Sequence, residues 1–331
     1  MNHQFQEHTV NLDLEPDQRW TFLTDYKEAI NDLLHCYLND FKGADFIFDN
    51  VELFKKSIIS EEYLQEIEFV SSISNFSSTE VLIANLYYDI LKFYFGYTAF
   101  AISNNQSVLH GRNLDWHTEN NLLSKHTRIF NFQREGKTLF KSIGWPGFIG
   151  TLSGISPGKF SLTLNAVLSG DAPEIAVPVS FLLRDVLTSS NTFQEARQKI
   201  ESTKIACDCL ILLSGVSADE KIVIERTPYR FFTRTSQSGY IVVTNDYKGI
   251  QNTSSANSIL QATSCGRYER AEALLKKTMP DNLEGCMQIL RDEGVKMNIT
   301  VQQMVFDNKT GDIYLAADNN DIIKRNNYHP S

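Results

Sequence analysis

Gly96-Tyr97-Thr98-Ala99-Phe100, running on to Leu109-His110-Gly111-Arg112-Asn113-Leu114-Asp115, is where the chain changes character. Upstream, the apolar residues recur at helical spacing. Phe22, Leu23, Ile30, Leu33, Leu34 and Leu38 form one such set, and Val81, Leu82, Ile83, Leu86, Tyr87, Ile90 and Leu91 another. Ser78-Thr79-Glu80 gives the second set a capped start. Downstream, short alternating or continuous apolar runs take over, at 98–102, 127–132, 160–164, 210–213, 221–225, 240–244, 300–306 and 312–316. Helices are expected within that region at 179–187, after Thr192-Phe193-Gln194-Glu195, whose Thr/Glu spacing is that of a capping box, and over 267–277. Asn308-Lys309-Thr310-Gly311 reads as a hairpin turn. Strands joined mainly by hairpins, with helices gathered on the faces, imply two stacked sheets between helical layers.

The bounds on function are mostly exclusions. A chain of 331 residues, 42% of them hydrophobic, can bury one large core or two smaller cores sharing an interface. A net charge of -9 without any Lys/Arg run argues against a nucleic-acid partner, which needs a basic footprint. The first eight residues, Met1 to His8, lack a basic start followed by an apolar core, and no stretch has the roughly 20 apolar residues of a membrane span, so a cytoplasmic location is expected. The five cysteines (Cys36, Cys207, Cys209, Cys265, Cys286) are odd in number and contain no C-x-x-C pair, which fits reduced thiols. The seven histidines lack metal-ligand spacing; His110, His117 and His126 cluster only loosely.

Five motifs, in order and across nearly the whole chain, carry a resemblance: Val10-Asn11-Leu12-Asp13-Leu14-Glu15-Pro16-Asp17-Gln18-Arg19-Trp20, the His110–Asp115 stretch, Gly147-Phe148-Ile149-Gly150-Thr151-Leu152-Ser153-Gly154, Pro157 to Asn165, and Val243-Thr244-Asn245-Asp246-Tyr247. Together they resemble the family of acid ceramidase and N-acylethanolamine-hydrolysing acid amidase, within the wider choloylglycine-hydrolase group. The resemblance implies an α+β fold, the four-layer αββα sandwich of N-terminal nucleophile hydrolases. It further implies a helical α-subunit-like segment over residues 1–96 and the catalytic layer system over 97–331. No cofactor or metal is implied, and the partner implied is a small-molecule or lipid amide.

Members of that family cut their own backbone before a cysteine, which then serves as nucleophile. The reaction needs a heteroatom on Cβ, because only Cys, Ser or Thr can attack the preceding carbonyl through a five-membered ring. Here the position reads Tyr97, whose oxygen lies at the far end of a rigid ring and, with an ordinary pKa of about 10, stays protonated near neutrality. Thr98 is the alternative nucleophile, yet adjacent strand residues point to opposite faces. For Tyr97 the plainer reading is an aromatic plug, and for Thr98 a β-former.

The resemblance also assigns Arg112 as an active-site arginine and Asp115 as the group that orients the nucleophile's amine. A spacing of three would put them on opposite faces of a straight strand, so a bend or bulge near Asn113 is expected to bring them together; alternatively, the pair simply fixes a turn. Asn245 matches an oxyanion donor, or is an ordinary turn residue. Arg267 matches a further arginine of the wider group, or is a surface charge. Ala166 stands where the close relatives carry a glutamate. Cys207 and Cys209 flank Asp208, but buried strand thiols explain them better than a relocated nucleophile does. Residues 21–38 and 81–95 fit core helices, or helices that line an acyl groove and touch a membrane peripherally. Two functions stay open: an amidase acting on long-chain N-acyl amides, or a pseudoenzyme acting by binding a lipid, a small molecule or a protein.

Overall fold

A computed structural model describes residues 5–43, 45–91, 95–104, 106–236, 238–252, 262–318 and 320–326. Two sheets form the centre. The first runs in the order β1 (Glu7–Asn11), β4 (Arg128–Arg134), β5 (Lys137–Gly144), β6 (Ser153–Ser156), β7 (Phe160–Asn165), β8 (Cys209–Gly215), β9 (Lys221–Arg226), β10 (Phe231–Thr235). The second runs β11 (Tyr240–Val243), β2 (Phe95–Ser103), β3 (Val108–Trp116), β12 (Thr300–Asp307), β13 (Ile313–Ala317), β14 (Asn320–Lys324). Every pairing is antiparallel except β1 with β4.

Strand alternation sorts the side chains into layers. Ala99, Ala101 and Val108 meet Leu210, Leu212 and Val223 between the sheets, and Ile129, Ile143 and Ile155 meet Met304, Phe306 and Leu315 further along. On the second sheet's other face, Phe100, Ile102, Leu109 and Val305 are covered by Ala271, Leu275, Cys286 and Leu290 of the helices Ser264–Lys277 and Leu283–Arg291. The first sheet's outer face is covered by Val179, Leu183, Ala196 and Ile200 of the helices Val179–Ser189 and Phe193–Ser202, together with the N-terminal helices.

The helices begin and end for local reasons. Ser77, one residue earlier than the spacing suggests, caps Ser78–Asn85: its hydroxyl accepts from the Glu80 N–H while Glu80 accepts from the Ser77 N–H at 2.7 Å. The run expected to continue to Leu91 breaks at Leu86 and resumes as Tyr87–Leu91. Thr192 accepts from the Glu195 N–H at 3.1 Å, and Glu195 reaches one residue further back, to the Asn191 N–H. The 22–38 pattern divides into a 3-10 segment, Thr21–Tyr26, and a helix, Lys27–Asn39. Two helices carry no strong sequence signal, Asp45–Ile58 and Glu61–Ser72. Nor does β1, which lies within the stretch read as helical and enters the first sheet beside β4.

Glu66 of the Glu61–Ser72 helix ties these layers together. Its carboxylate, fully buried, accepts from Arg184 Nη2 at 2.7 Å and from Arg19 Nη1 at 3.1 Å, and the Arg184 guanidinium stacks over Tyr63, Phe132 and Trp20. No helix among the described residues is long and apolar enough to cross a membrane.

Candidate active site

Strands β2 and β3 pair without interruption, Gly96 opposite Asp115, Tyr97 opposite Leu114, Thr98 opposite Asn113 and Ala99 opposite Arg112. Tyr97 and Arg112 therefore face the interior between the sheets, whereas Thr98, Asn113 and Asp115 face the helical layer. The bend expected near Asn113 is absent. The register shift falls instead on the facing strand β12, between Thr300 and Gln302, so Arg112 and Asp115 stay on opposite faces of β3.

On the interior face, the Arg112 guanidinium carbon lies 4.6 Å from the Tyr97 ring centroid, and both residues are 0% exposed. Arg112 Nη1 donates to Leu152 O at 2.7 Å and to Ser153 Oγ, and Nη2 donates to Leu164 O at 2.6 Å. Burial pulls the Arg112 pKa down to about 10, against the opposing pull of Tyr97 and Asp115. Burial drives the Tyr97 phenol well above its ordinary value, with the nearby guanidinium offsetting only part of that rise. Tyr97 is therefore a wholly buried ring whose neutral form is favoured.

On the helical face, Arg267 enters from the first turns of Ser264–Lys277 and is 4% exposed, so it is no surface charge. Its Nη1 donates to Tyr97 O at 2.6 Å and to Thr98 Oγ1 at 2.9 Å, and its Nη2 donates to Asn245 Oδ1 at 2.8 Å. Asn245 Oδ1 also accepts from the Tyr97 N–H at 3.1 Å, while Asn245 Nδ2 donates to Ala166 O at 2.8 Å. Asn245 thus presents an acceptor, not a donor, to residue 97. Its own N–H is held by Ser264 Oγ at 2.9 Å, and Asn165 Nδ2 donates to Thr244 O at 3.0 Å. Together these bonds hold the two peptide groups on either side of the Tyr97 α-carbon, the N–H through Asn245 and the carbonyl through Arg267.

Asp115 accepts from Thr300 Oγ1, and its Oδ2 has no hydrogen-bond partner among the described residues. Burial raises its pKa, although Arg267, Thr300 and Arg112 all act to lower it. Thr98 Oγ1 lies on this same face but receives its hydrogen from Arg267.

The remaining candidates fall outside the site. None of the five cysteines is in a disulfide. Cys207 and Cys209 are buried at the entry to β8, Cys207 Sγ donating to Asp89 Oδ1 at 3.4 Å, and Cys286 is buried, its thiol pKa pushed up by desolvation. No group of His, Cys, Asp and Glu that could hold a metal ion occurs among the described residues. His110, part of a quoted motif and of the loose histidine cluster, is buried between the sheets and held at 2.9 Å by Ser161, Ser214 and Thr163. A small space of about 10 Å³ is walled by Tyr37, Tyr87, Tyr88, Trp116, Trp145 and Phe148, with Trp116 and Tyr97 in one apolar cluster. That is room for about one water.

Comparison with known proteins agrees with this architecture. The family description "acyl-coenzyme A:6-aminopenicillanic acid acyl-transferase" matches residues 102–320. The chain belongs to this family of acid-ceramidase-like N-terminal nucleophile hydrolases. Acid ceramidase of Balaenoptera acutorostrata scammoni is 28% identical over 250 residues, covering 66% of this chain and 62% of that protein. The human acid ceramidase is 27% identical over 249 residues, with the same coverage. The chain thus spans somewhat less than two thirds of the length of these relatives. Among solved structures, a Caenorhabditis elegans N-acylethanolamine-hydrolyzing acid amidase ortholog superposes with a TM-score of 0.55 at 26% identity, covering 63% of this chain and 92% of its own. A variant of the conjugated bile acid hydrolase from Clostridium perfringens reaches 0.51 at 15% identity, covering 69% and 91%, a likeness of fold.

Proposed function

We propose that this chain is a non-hydrolysing member of its family, one that keeps the sandwich and the grip on residue 97 but neither cuts its own backbone nor turns over amides. The observation that carries the reading is Tyr97 itself. Its ring is wholly buried under Arg112, it lacks a Cβ heteroatom, and its phenol is held neutral. Ala166 adds to it, since a methyl group stands where the resemblance expects a carboxylate. The relatives' names point to amide lipids as their ligands. For this chain, an acyl chain in the aromatic space would require Tyr37, Tyr87 or Trp145 to move, because about 10 Å³ admits none. The protein then acts through binding.

One geometric feature favours a second reading, in which Thr98 is the nucleophile. Arg267 Nη1 touches both Thr98 Oγ1 and the Tyr97 carbonyl, the bond that a Thr98 attack would break, and Asp115 shares their face. Against it, a hydroxyl that accepts from a guanidinium is a poorer nucleophile, and Asp115 bonds Thr300 rather than Thr98. Incubating the protein with fluorogenic long-chain N-acyl amides at acidic and neutral pH separates the two. No turnover above a heat-denatured control is expected. Turnover abolished by Thr98→Ala would establish the amidase instead.

A further inference from the structure

Strand β10, Phe231-Phe232-Thr233-Arg234-Thr235, ends the first sheet with one edge open. A tight turn joins it to β9, the Thr227 N–H donating to Arg230 O at 2.9 Å. That bond makes 227 and 230 a hydrogen-bonded pair, and the antiparallel ladder alternates from there. Phe232 and Arg234 spend their backbone groups on Glu225 and Val223, whereas Phe231, Thr233 and Thr235, opposite Arg226, Ile224 and Ile222, turn theirs away from β9. Among the described residues those outward N–H and C=O groups meet no backbone or side-chain partner.

An edge of this kind is ordinarily blunted by a proline, a lysine or a bulge. Strand β10 has no Pro or Lys, and its register with β9 is unbroken. It carries aromatic rings instead, Phe231 at 54% and Phe232 at 45% exposure, with Tyr229 exposed in the turn before them. The two nearby arginines already have carboxylate partners, Arg230 with Asp171 at 2.9 Å and Arg234 with Glu225 at 2.8 Å. The edge therefore suits an extended strand that brings backbone donors, backbone acceptors and uncharged side chains. A second copy of β10 brings all of these. With two such strands antiparallel about a two-fold axis at Thr233, Thr233 faces itself and Phe231 faces Thr235 of the second copy. Each of those pairs exchanges two hydrogen bonds, so every outward group finds a partner. Phe232 then lies opposite Arg234 of the second copy, and the axis falls on a neutral Thr–Thr pair, a favourable cross-strand contact. Any other register leaves at least one of the three outward residues unmatched within the strand, and an axis at Arg234 would set like charges against each other.

We infer that β10 is a self-association surface: two copies of this chain join edge to edge through antiparallel β10 strands on a two-fold at Thr233, which continues the first sheet from one molecule into the other. A contact centred on a five-residue strand is small beside the roughly 800 Å² per partner of a standard interface, so the dimer is weak and concentration-dependent. The pairing involves neither the backbone around Tyr97 nor a ligand, and a failure of either reading leaves the other standing. Sedimentation velocity on the full chain over a micromolar concentration series supplies the test. Expected is a monomer–dimer equilibrium whose Kd rises at least about tenfold in Thr233→Pro and in Thr235→Pro, each of which removes an outward N–H that the ladder to β9 does not use. Circular dichroism should find both variants folded. Amide hydrogen exchange on the unaltered chain gives a reading free of any substitution: exchange over 231–235 should slow at concentrations where the dimer predominates. A chain that stays monomeric throughout would leave the edge to a foreign strand and overturn the inference. So would a dimer as tight in both proline variants as in the parent, or exchange over 231–235 that does not change with concentration.

Discussion

Tyr97 can be told from a working nucleophile by what its removal does to stability. A nucleophile is selected for reactivity, and cutting it back usually costs the fold little. A plug is held by packing. Tyr97→Ala would empty a buried site, strip the Arg112 guanidinium of its stacked ring, and leave a cavity between the sheets. Urea unfolding should find it less stable by about 3–5 kcal/mol, the usual range for deleting a buried aromatic side chain. A change under about 1 kcal/mol would mean that the ring is not a structural part of the sandwich. Tyr97 and Thr98 were legible from the sequence because alternation along a strand fixes opposite faces whatever the partners are. Arg267 was harder: nothing in Cys265-Gly266-Arg267 says that a helix delivers its guanidinium to a peptide 169 residues earlier, against Thr98. Such a meeting is decided by layer packing, not by local spacing.

Elements were readable where short-range chemistry dictates them. The Ser77/Glu80 box fixes the start of Ser78–Asn85, and Ser77→Ala should cost about 1 kcal/mol in thermal or urea unfolding, with the fold retained. Loss of less than a few tenths would mean that tertiary packing alone sets that end. The turn at Asn308–Gly311 likewise closes β12 onto β13, with the Gly311 N–H donating to Asp307 O at 2.8 Å and Gly311 at φ +74°. By contrast, β1 could not be read, because its burial is irregular and its pairing with β4 spans more than a hundred residues. The bend expected at Asn113 failed for a related reason. An extra residue can be taken up by either strand of a pair, and here β12 absorbs it at Val301, a choice invisible in β3 alone.

At the scale of the whole molecule, the interior polar groups set the response to acid. Burial, with Arg112 adding to it, pushes the His110 pKa down to about 3. In the unfolded chain that imidazole titrates near 6.5. Between those values the unfolded state binds the extra proton, so the stabilisation is complete above about pH 6.5 and is lost as pH falls toward 3, at up to about 1.4 kcal/mol per pH unit. Asp115 acts in the opposite sense: its raised pKa means that the folded state holds the proton more tightly over its own window, offsetting part of the loss. Urea midpoints measured across pH should fall on the acid side, and His110→Asn should flatten that slope even if it lowers the neutral value. An acid limb as steep in the variant as in the parent would remove His110 as its cause.

The chain keeps the family's architecture around a tyrosine without a Cβ heteroatom, and the polypeptide itself records whether self-cleavage took place. The decisive measurement is the intact mass of the purified full chain, with N-terminal sequencing, after incubation at acidic and at neutral pH. A single undivided species at both values is the expected result. Two fragments meeting at Gly96/Tyr97 or Tyr97/Thr98 would contradict it and make this protein a self-processing amidase after all.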